Sequence, residues 1–443
     1  MVKMEINPNK IYKMPKYLTI KFIDEKILVI SQETANWLLL DNKNQLEMFN
    51  YLSKSNTIAN LLKTFPAEYH KDIYHVLVEL EAKKFENVTV KYPQNQGMYI
   101  YLTKKCNQKC KHCYMKAGIA DADEMTTIEI KNILLDFVRY GGKVVTFTGG
   151  EATMRVDFIE IADYAKKIGL KVCVLSNGLL WTTEFVKKIS KKIDEVQISI
   201  DGFDSKSYES IRGIDTFDVA LEALDRILKA GIRTLVSITP LLETLLVNQT
   251  SYVKFAKFLT SKYKDKGLIV KFNTELLDGR NVSLTRSENL QYRTAIAKIL
   301  LETSPFSKEE NFAIDHMNNT IFNNCGYGGL CIDSNGDVYF CNIISKCSKQ
   351  SNIRRESFDT IMRKSQKARL LSDINNLVPC NKCELKYICG GGCRIKHFNR
   401  LVEAPVDFDK TNVKIIRNTS CSNEDKANYY RLMISSNSFF YQQ

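Results

Sequence analysis

The stretch MYIYLTKKCNQKCKHCYMKAG, residues 98–118, decides how the chain is read. Its first six residues are apolar or β-prone and predict a strand. Directly behind them come Cys106, Cys110 and Cys113 in a C-x3-C-x2-C run, followed at once by Tyr114. Three thiolates this close can converge on one metal centre, yet most protein metals take four ligands. Either a fourth ligand lies elsewhere, or one corner is left open on purpose.

Working outward from Met98, strand and helix patterns alternate. Strands are predicted at 98–103, 143–148, 171–176, 195–200, 233–239 and 268–273, with helical patterns such as TIEIKNILLDFVRY and FDVALEALDRILKAG between them. Gly231 is placed to end the latter helix. Such alternation argues for a parallel sheet, open or curled into a barrel, with its chemistry at the C-terminal ends of the strands. The Cys106–Cys113 loop follows the first strand, TGGEA the second, SNG the third and DG the fourth. Six units are fewer than the eight of a closed barrel, which leaves one side open for a large substrate.

Two regions flank this one. In residues 1–95, KYLTIKFIDEKILVIS alternates apolar and polar residues across an Asp24–Glu25 turn, and NWLLLD offers a third strand. Helical spacing follows in NQLEMFNYLSK, TIANLLKTF and EYHKDIYHVLVELEAKKF, then a further extended stretch, NVTVKYP. This predicts a small winged-helix-like module without cysteine. Residues 311–443 have weaker periodicity and nine of the thirteen cysteines, set among Gly-rich turns such as CGYGGLC and CGGGC.

The 443 residues, 44% hydrophobic and 26% charged, suffice for two or three globular domains and exclude a disordered or fibrous chain. Neither a signal-type apolar run nor a membrane-length stretch occurs, so the expectation is a soluble, cytoplasmic protein that binds no membrane. In such a chain an odd number of cysteines reads as metal ligation. The net charge of +13 would suit nucleic acid, but the lysines are scattered and read as a solvated surface.

The three-cysteine loop after the first strand, with Gly149-Gly150-Glu151 after the second, resembles the radical S-adenosylmethionine enzymes. The resemblance implies that Cys106, Cys110 and Cys113 hold three irons of a 4Fe-4S cluster and that S-adenosylmethionine chelates the fourth, so the missing ligand is the cosubstrate. It further implies that Gly149, Gly150 and Glu151 receive the methionine amino group, that Ser199 and Arg212 hold the ribose and the methionine carboxylate, and that Asn177 lies near the adenosine. His112 departs from the aromatic residue usual before the last cysteine, and Ala152 from the commoner proline.

The later cysteines resemble the SPASM extension with two auxiliary 4Fe-4S clusters, three clusters in all. Carried over residue by residue, one cluster falls on Cys380, Cys383, Cys389 and Cys421. The other falls on Cys325, Cys341 and Cys393, with Cys331 as fourth ligand closing the site. Cys173 reads as a buried small hydrophobe. Cys347 reads as a spare thiol, with hydrogen-atom donor as its catalytic alternative; no other catalytic residue is assigned.

The front module is similar to the precursor-peptide recognition elements of peptide-modifying enzymes. Its implied role is to hold a leader peptide as an added strand, at an edge near Trp37 to Leu40 with a helical wall near Ile73 to Leu80. The implied whole is a partial (β/α)6 TIM-like barrel of residues 96–310 between a winged-helix-like domain and a loop-rich Fe-S (SPASM) domain. TGGEA, SNGLLW and QISIDGFD look like the enzymes that build sactipeptides. The implied activity is maturation of a ribosomally made precursor peptide: an external donor such as flavodoxin or ferredoxin supplies an electron that splits S-adenosylmethionine into methionine and a 5'-deoxyadenosyl radical, the radical removes a hydrogen atom, the carbon radical closes onto a cysteine thiolate as a thioether, and the auxiliary clusters take up the electron that leaves. Carbon-carbon or carbon-oxygen crosslinking and epimerisation are the rival reactions. Sulfatase maturation ranks lower, because Asn342 stands where those enzymes carry an Asp. Outside enzymes, the alternative is a zinc-stabilised nucleic-acid-binding protein.

Overall fold

The computed structural model describes residues 7–86, 96–213, 215–304, 307–316, 325–398 and 415–441. The expected extended stretch NVTVKYP, 87–93, lies outside the described residues.

At the front, β1 (Leu18–Ile23), β2 (Lys26–Ser31) and β3 (Trp37–Leu40) form an antiparallel sheet in that order. The β1–β2 hairpin turns on Asp24 and Glu25, both at positive φ (45° and 64°), the geometry of a two-residue turn that matches strand twist. Helices α1 (Lys43–Ser53), α2 (Ile58–Thr64) and α3 (His70–Ala82) follow, as the spacing predicts. One sheet face, Ile27, Val29, Leu38 and Leu40, packs on these helices. The other, Leu28, Ile30, Trp37 and Leu39, packs on Phe312, Leu385, Ile388, Met433 and Phe440 from the far end of the chain. Burial on both faces explains why KILVIS and NWLLL carry such continuous apolar runs.

The edge expected for a leader strand is already engaged. All four residues of β3 are buried. The outward peptide group of Leu39 donates its N–H to Glu79 (2.7 Å), and its carbonyl meets His75 Nε2 at 3.0 Å. Helix α3 thus seals the edge it was expected to wall, because a buried peptide group needs a partner.

The central sheet contains six parallel strands in chain order: β4 (Gly97–Tyr101), β5 (Val144–Thr148), β6 (Lys171–Ser176), β7 (Glu195–Ser199), β8 (Arg233–Ile238) and β9 (Ile269–Phe272). All six lie where the sequence places them. The helix Thr127–Arg139 starts on a capping box between Thr126 and Glu129, and the helix Phe217–Lys229 is followed by Gly231 at φ 77°. Side chains alternate with the pleat. Val145, Phe147, Val196, Ile198 and Val236 belong to the core, whereas Thr148, Gln197, Ser199 and Ser237 line a cavity. The third region is not merely appended. Its β10 (Leu330–Ile332) pairs in parallel with β4, and β11 (Asp337–Tyr339) and β12 (Ser351–Asn352) extend the sheet to nine strands.

Candidate active site

The cavity has a volume of about 450 Å³ and lies at the C-terminal ends of the strands. Its wall includes Cys106, Cys110 and Cys113 on one side and Asn342 and Ile343, beside Cys341, on another. Gly149, Gly150, Glu151, Asn177, Ser199 and Arg212, which the sequence singles out, all line it.

Backbone contacts hold the cysteine loop. Gly150 N–H donates to Thr103 O (2.7 Å) and Glu151 N–H to Lys105 O (2.9 Å). A Cβ on Gly149 would lie 2.3 Å from Thr103 O, and one on Gly150 2.4 Å from Lys105 O. The glycines therefore permit close approach of the cysteine loop's own backbone, a reason for them that the motif alone does not reveal.

Glu151 is buried and accepts from Asn177 N–H (2.7 Å), Thr153 Oγ1 (2.6 Å) and Ser176 Oγ (2.8 Å). It ties the end of β5 to the end of β6, and burial pushes its carboxyl up despite these donors. Asn177 in turn donates from Nδ2 to Asn107 Oδ1 (2.7 Å), clamping the cysteine loop from the third strand.

Arg212 is held by Asp201, Nε to Oδ2 at 2.6 Å, and its Nη1 reaches Gln108 Oε1 at 3.2 Å. His112 Nε2 meets the same Asp201 oxygen at 2.7 Å, and Thr239 N–H donates to the other at 2.7 Å. Asp201 is fully buried. Burial alone would raise its carboxyl, but Arg212 and His112 outweigh that and hold it at about 2. Sequence reasoning assigned no role to Asp201; the only signal was the DG after the fourth strand. His112 lines the cavity, and its Nδ1 is buried without a partner.

The donor set fits a cluster and a polar cosubstrate. Three thiols of one loop share a cavity with hydroxyls, amides and a guanidinium, and burial lifts the Cys106 thiol to about 11, so a cationic centre is what would hold it as thiolate. All thirteen cysteines are free thiols.

The C-terminal cysteines gather in two groups. Arg417 Nη1 lies 3.8 Å from Cys380 Sγ and also acts on Cys421, which is near Cys389; Tyr430 feels both Cys383 and Cys421. In the second group Cys325 is near Cys393, and Cys341 is near both Cys347 and Cys331. Cys331 itself lies within β10, packed against Tyr101 and Ile344.

Residues 100–245 match the model of the radical SAM superfamily. Mycofactocin maturase MftC of Mycolicibacterium smegmatis is 29% identical over 312 residues, covering 67% of this chain and 77% of that protein. An AdoMet-dependent heme synthase of Nitratidesulfovibrio vulgaris is 26% identical over 347 residues, covering 72% and 93%. Among solved structures, native anSMEcpe with bound AdoMet and Cp18Cys peptide superposes with a TM-score of 0.55 at 19% identity, over 77% of this chain and 99% of that one, a likeness of fold. The three-cysteine loop at the mouth of the parallel half-barrel falls within residues 100–245, and that stretch of the chain is a radical SAM domain.

Proposed function

We propose that this enzyme matures a ribosomally made precursor peptide by closing an intrapeptide crosslink, a thioether from a cysteine. The observation that carries the reading is the cavity itself: one wall is the Cys106–Cys113 loop and another is the Asn342–Ile343 turn beside Cys341. A residue held there sits between the first thiol set and the auxiliary thiols. The similarity to a mycofactocin maturase supports a peptide substrate.

On this reading Cys106, Cys110 and Cys113 hold the first 4Fe-4S cluster, and Gly149, Gly150, Glu151, Asn177, Ser199 and Arg212 surround S-adenosylmethionine. Two further clusters use the C-terminal cysteines, so a filled chain carries about twelve irons. Bound there, the cluster and its cosubstrate supply hydrogen-atom abstraction from an unactivated carbon. The chain's own residues orient and shield: Asp201 fixes Arg212 and His112, Glu151 fixes Asn177, and the apolar outer faces of β5, β7 and β8 keep the half-barrel rigid. Tyr101 OH donates to the Asn342 carbonyl (2.7 Å) and shares a hydrogen bond with Tyr114 OH (2.6 Å), joining the two thiol regions through one phenol. Asn342 presents an amide, which cannot act as a carboxylate base, and this disfavours sulfatase maturation. The front module is read as the leader-binding element, a flavodoxin or ferredoxin as the electron donor, and the cytoplasm as the compartment that keeps the thiols reduced. Among the described residues, no helix is long and apolar enough to cross a membrane.

The 93% coverage of a heme synthase favours tetrapyrrole chemistry as the second reading. The test is anaerobic reconstitution of the full chain, then incubation with reductant, S-adenosylmethionine and either a cysteine-containing precursor peptide or a tetrapyrrole. Near twelve irons, 5'-deoxyadenosine, and a peptide lighter by two hydrogens with one cysteine resistant to alkylation are expected. Zinc in place of iron, or turnover of the tetrapyrrole alone, would overturn the proposal.

A further inference from the structure

The cysteine loop has an inner and an outer side. Cys106, Gln108, Cys110 and His112 line the cavity, whereas Lys105, Asn107, Lys109 and Lys111, which alternate with them, are exposed. Lysines are scattered over the chain as a whole, yet residues 104–116 hold five of them and no Asp or Glu. Lys104 is paired with Asp121 at 2.8 Å. Lys105, Lys109, Lys111 and Lys116 are exposed and have no ion-pair partner among the described residues. Uncompensated positive charge thus covers the outside of the loop that carries the three thiols.

An apolar spot adjoins it. Cys106 N–H donates to Gly118 O (3.1 Å), which seats the next residue, Ile119, beside the loop, and Ile119 is 91% exposed. A surface groove lined by Lys105, Ala120, Met154 and Val156 lies next to it, with Val156 fully exposed. The acids around this groove are already engaged. Asp157 is bound by Arg155 (2.7 Å), and Glu124 accepts from Thr103 Oγ1 (2.7 Å) and Lys104 N–H (2.9 Å). Asp123 and Glu129 both face Arg354, at 3.6 and 2.6 Å. An apolar centre beside free lysines is the make-up of a small, electrostatically steered interface.

We infer that this outer side is the docking surface of a flavodoxin, a small acidic protein whose reduced flavin gives up one electron. Its carboxylates meet Lys105, Lys109, Lys111 and Lys116, and the apolar dimethylbenzene edge of the flavin meets Ile119 and Val156. That apolar pair favours a flavin over an iron-sulfur carrier, whose thiolate-bound centre is anionic and has no apolar edge to bury. Lys109 and Lys111 flank Cys110 directly, so a partner touching their backbone is one residue, about 3.8 Å, from the Cys110 Cα. In the transfer the anionic flavin hydroquinone becomes the neutral semiquinone, and the electron it loses enters the cluster, with no bond made or broken. The inference rests on the reading that Cys106, Cys110 and Cys113 hold the first cluster.

The test uses the reconstituted full chain and a recombinant flavodoxin. Binding of oxidised flavodoxin is measured by surface plasmon resonance at low and high salt, and electron delivery is read as 5'-deoxyadenosine formed with flavodoxin hydroquinone or with dithionite. Lys109→Glu with Lys111→Glu is expected to weaken binding at low salt by roughly tenfold and to flatten its salt dependence. Ile119→Ser with Val156→Ser should weaken it by roughly three- to tenfold at either salt. Lys254→Glu with Lys257→Glu, the same change of charge on the helix Gln249–Lys262, should stay within about twofold of the parent. With dithionite every variant is expected to match the parent, whereas with flavodoxin the first two are slower. Undiminished binding by the Lys109 and Lys111 variant, an equal loss in the Lys254 and Lys257 variant, or tighter binding of a ferredoxin that the Ile119 and Val156 variant leaves unchanged would overturn the inference. A parent that forms no 5'-deoxyadenosine even with dithionite would overturn the cluster reading on which it stands.

Discussion

The imidazole of His112 and the carboxylate of Asp201 meet at 2.7 Å, on the same oxygen that Arg212 reaches at 2.6 Å. His112 sits between Cys110 and Cys113, whereas Asp201 follows β7. One buried oxygen thus anchors the cysteine loop to the middle of the sheet. Nε2 of His112 is spent on Asp201, and its Nδ1 is buried without a partner.

Asp201→Asn leaves Arg212 buried without its counter-charge. Breaking such a pair costs about 3–5 kcal/mol, to be read by urea denaturation. The carboxyl is held at about 2 in the folded chain, below its usual 3.8. Its stabilisation is therefore complete above pH 3.8 and lost as pH falls through the folded value. Subtracting the variant's stability from that of the natural chain should give a difference that shrinks in this acid window and is flat above it.

Gly150→Ala forces a methyl to within 2.4 Å of Lys105 O and 2.6 Å of Lys104 O. Both atoms are backbone, so the cysteine loop must move rather than a side chain. Iron content after reconstitution is expected to fall by about four, with the C-terminal cysteines still loaded. Full iron retention would show that the loop has a second way to seat.

Lys83 and Glu79 are both fully buried, 3.7 Å apart, with Asn437 bonded to each. Burial outweighs the attraction of Glu79 and lowers the Lys83 ammonium from 10.5 to about 8. Between those values the unfolded chain binds more protons than the folded one, so stability rises with pH there. The rise attributable to Lys83 is about 3 kcal/mol, and Lys83→Met should remove it from the pH profile of denaturation. Below pH 8 the two profiles are expected to run parallel.

His75→Ala frees the Leu39 carbonyl on the β3 edge. If the proposed leader adds a strand at that edge, it no longer competes with the imidazole. Binding of a labelled precursor peptide, followed by fluorescence anisotropy, should tighten by roughly two- to tenfold, the worth of one hydrogen bond of about 0.5–1.5 kcal/mol. Unchanged affinity would move the leader off β3.

Local pattern was enough for the elements. Alternating runs and capping signals such as Thr126 with Glu129 placed six parallel strands and the front module's three strands and three helices, because periodicity and caps act within a few residues. The order of motifs after successive strands singled out Cys106–Cys113, Gly149–Glu151 and Asn177, and the resemblance added Ser199 and Arg212; all of them line one cavity.

What pairs with what was a different matter. That Glu151 serves Ser176 and Asn177, that Asp201 anchors both His112 and Arg212, and that Glu79 closes the β3 edge all depend on groups brought together across 11 to 89 residues. Sequence by itself determined the half-barrel, which follows from short-range spacing, and pointed to the family of chemistry through the resemblance its motifs carry. Only the tertiary structure decided which donor each buried polar group uses. A buried carboxylate, peptide group or thiol takes whichever partner the packed chain puts within reach, and no local spacing encodes that distance.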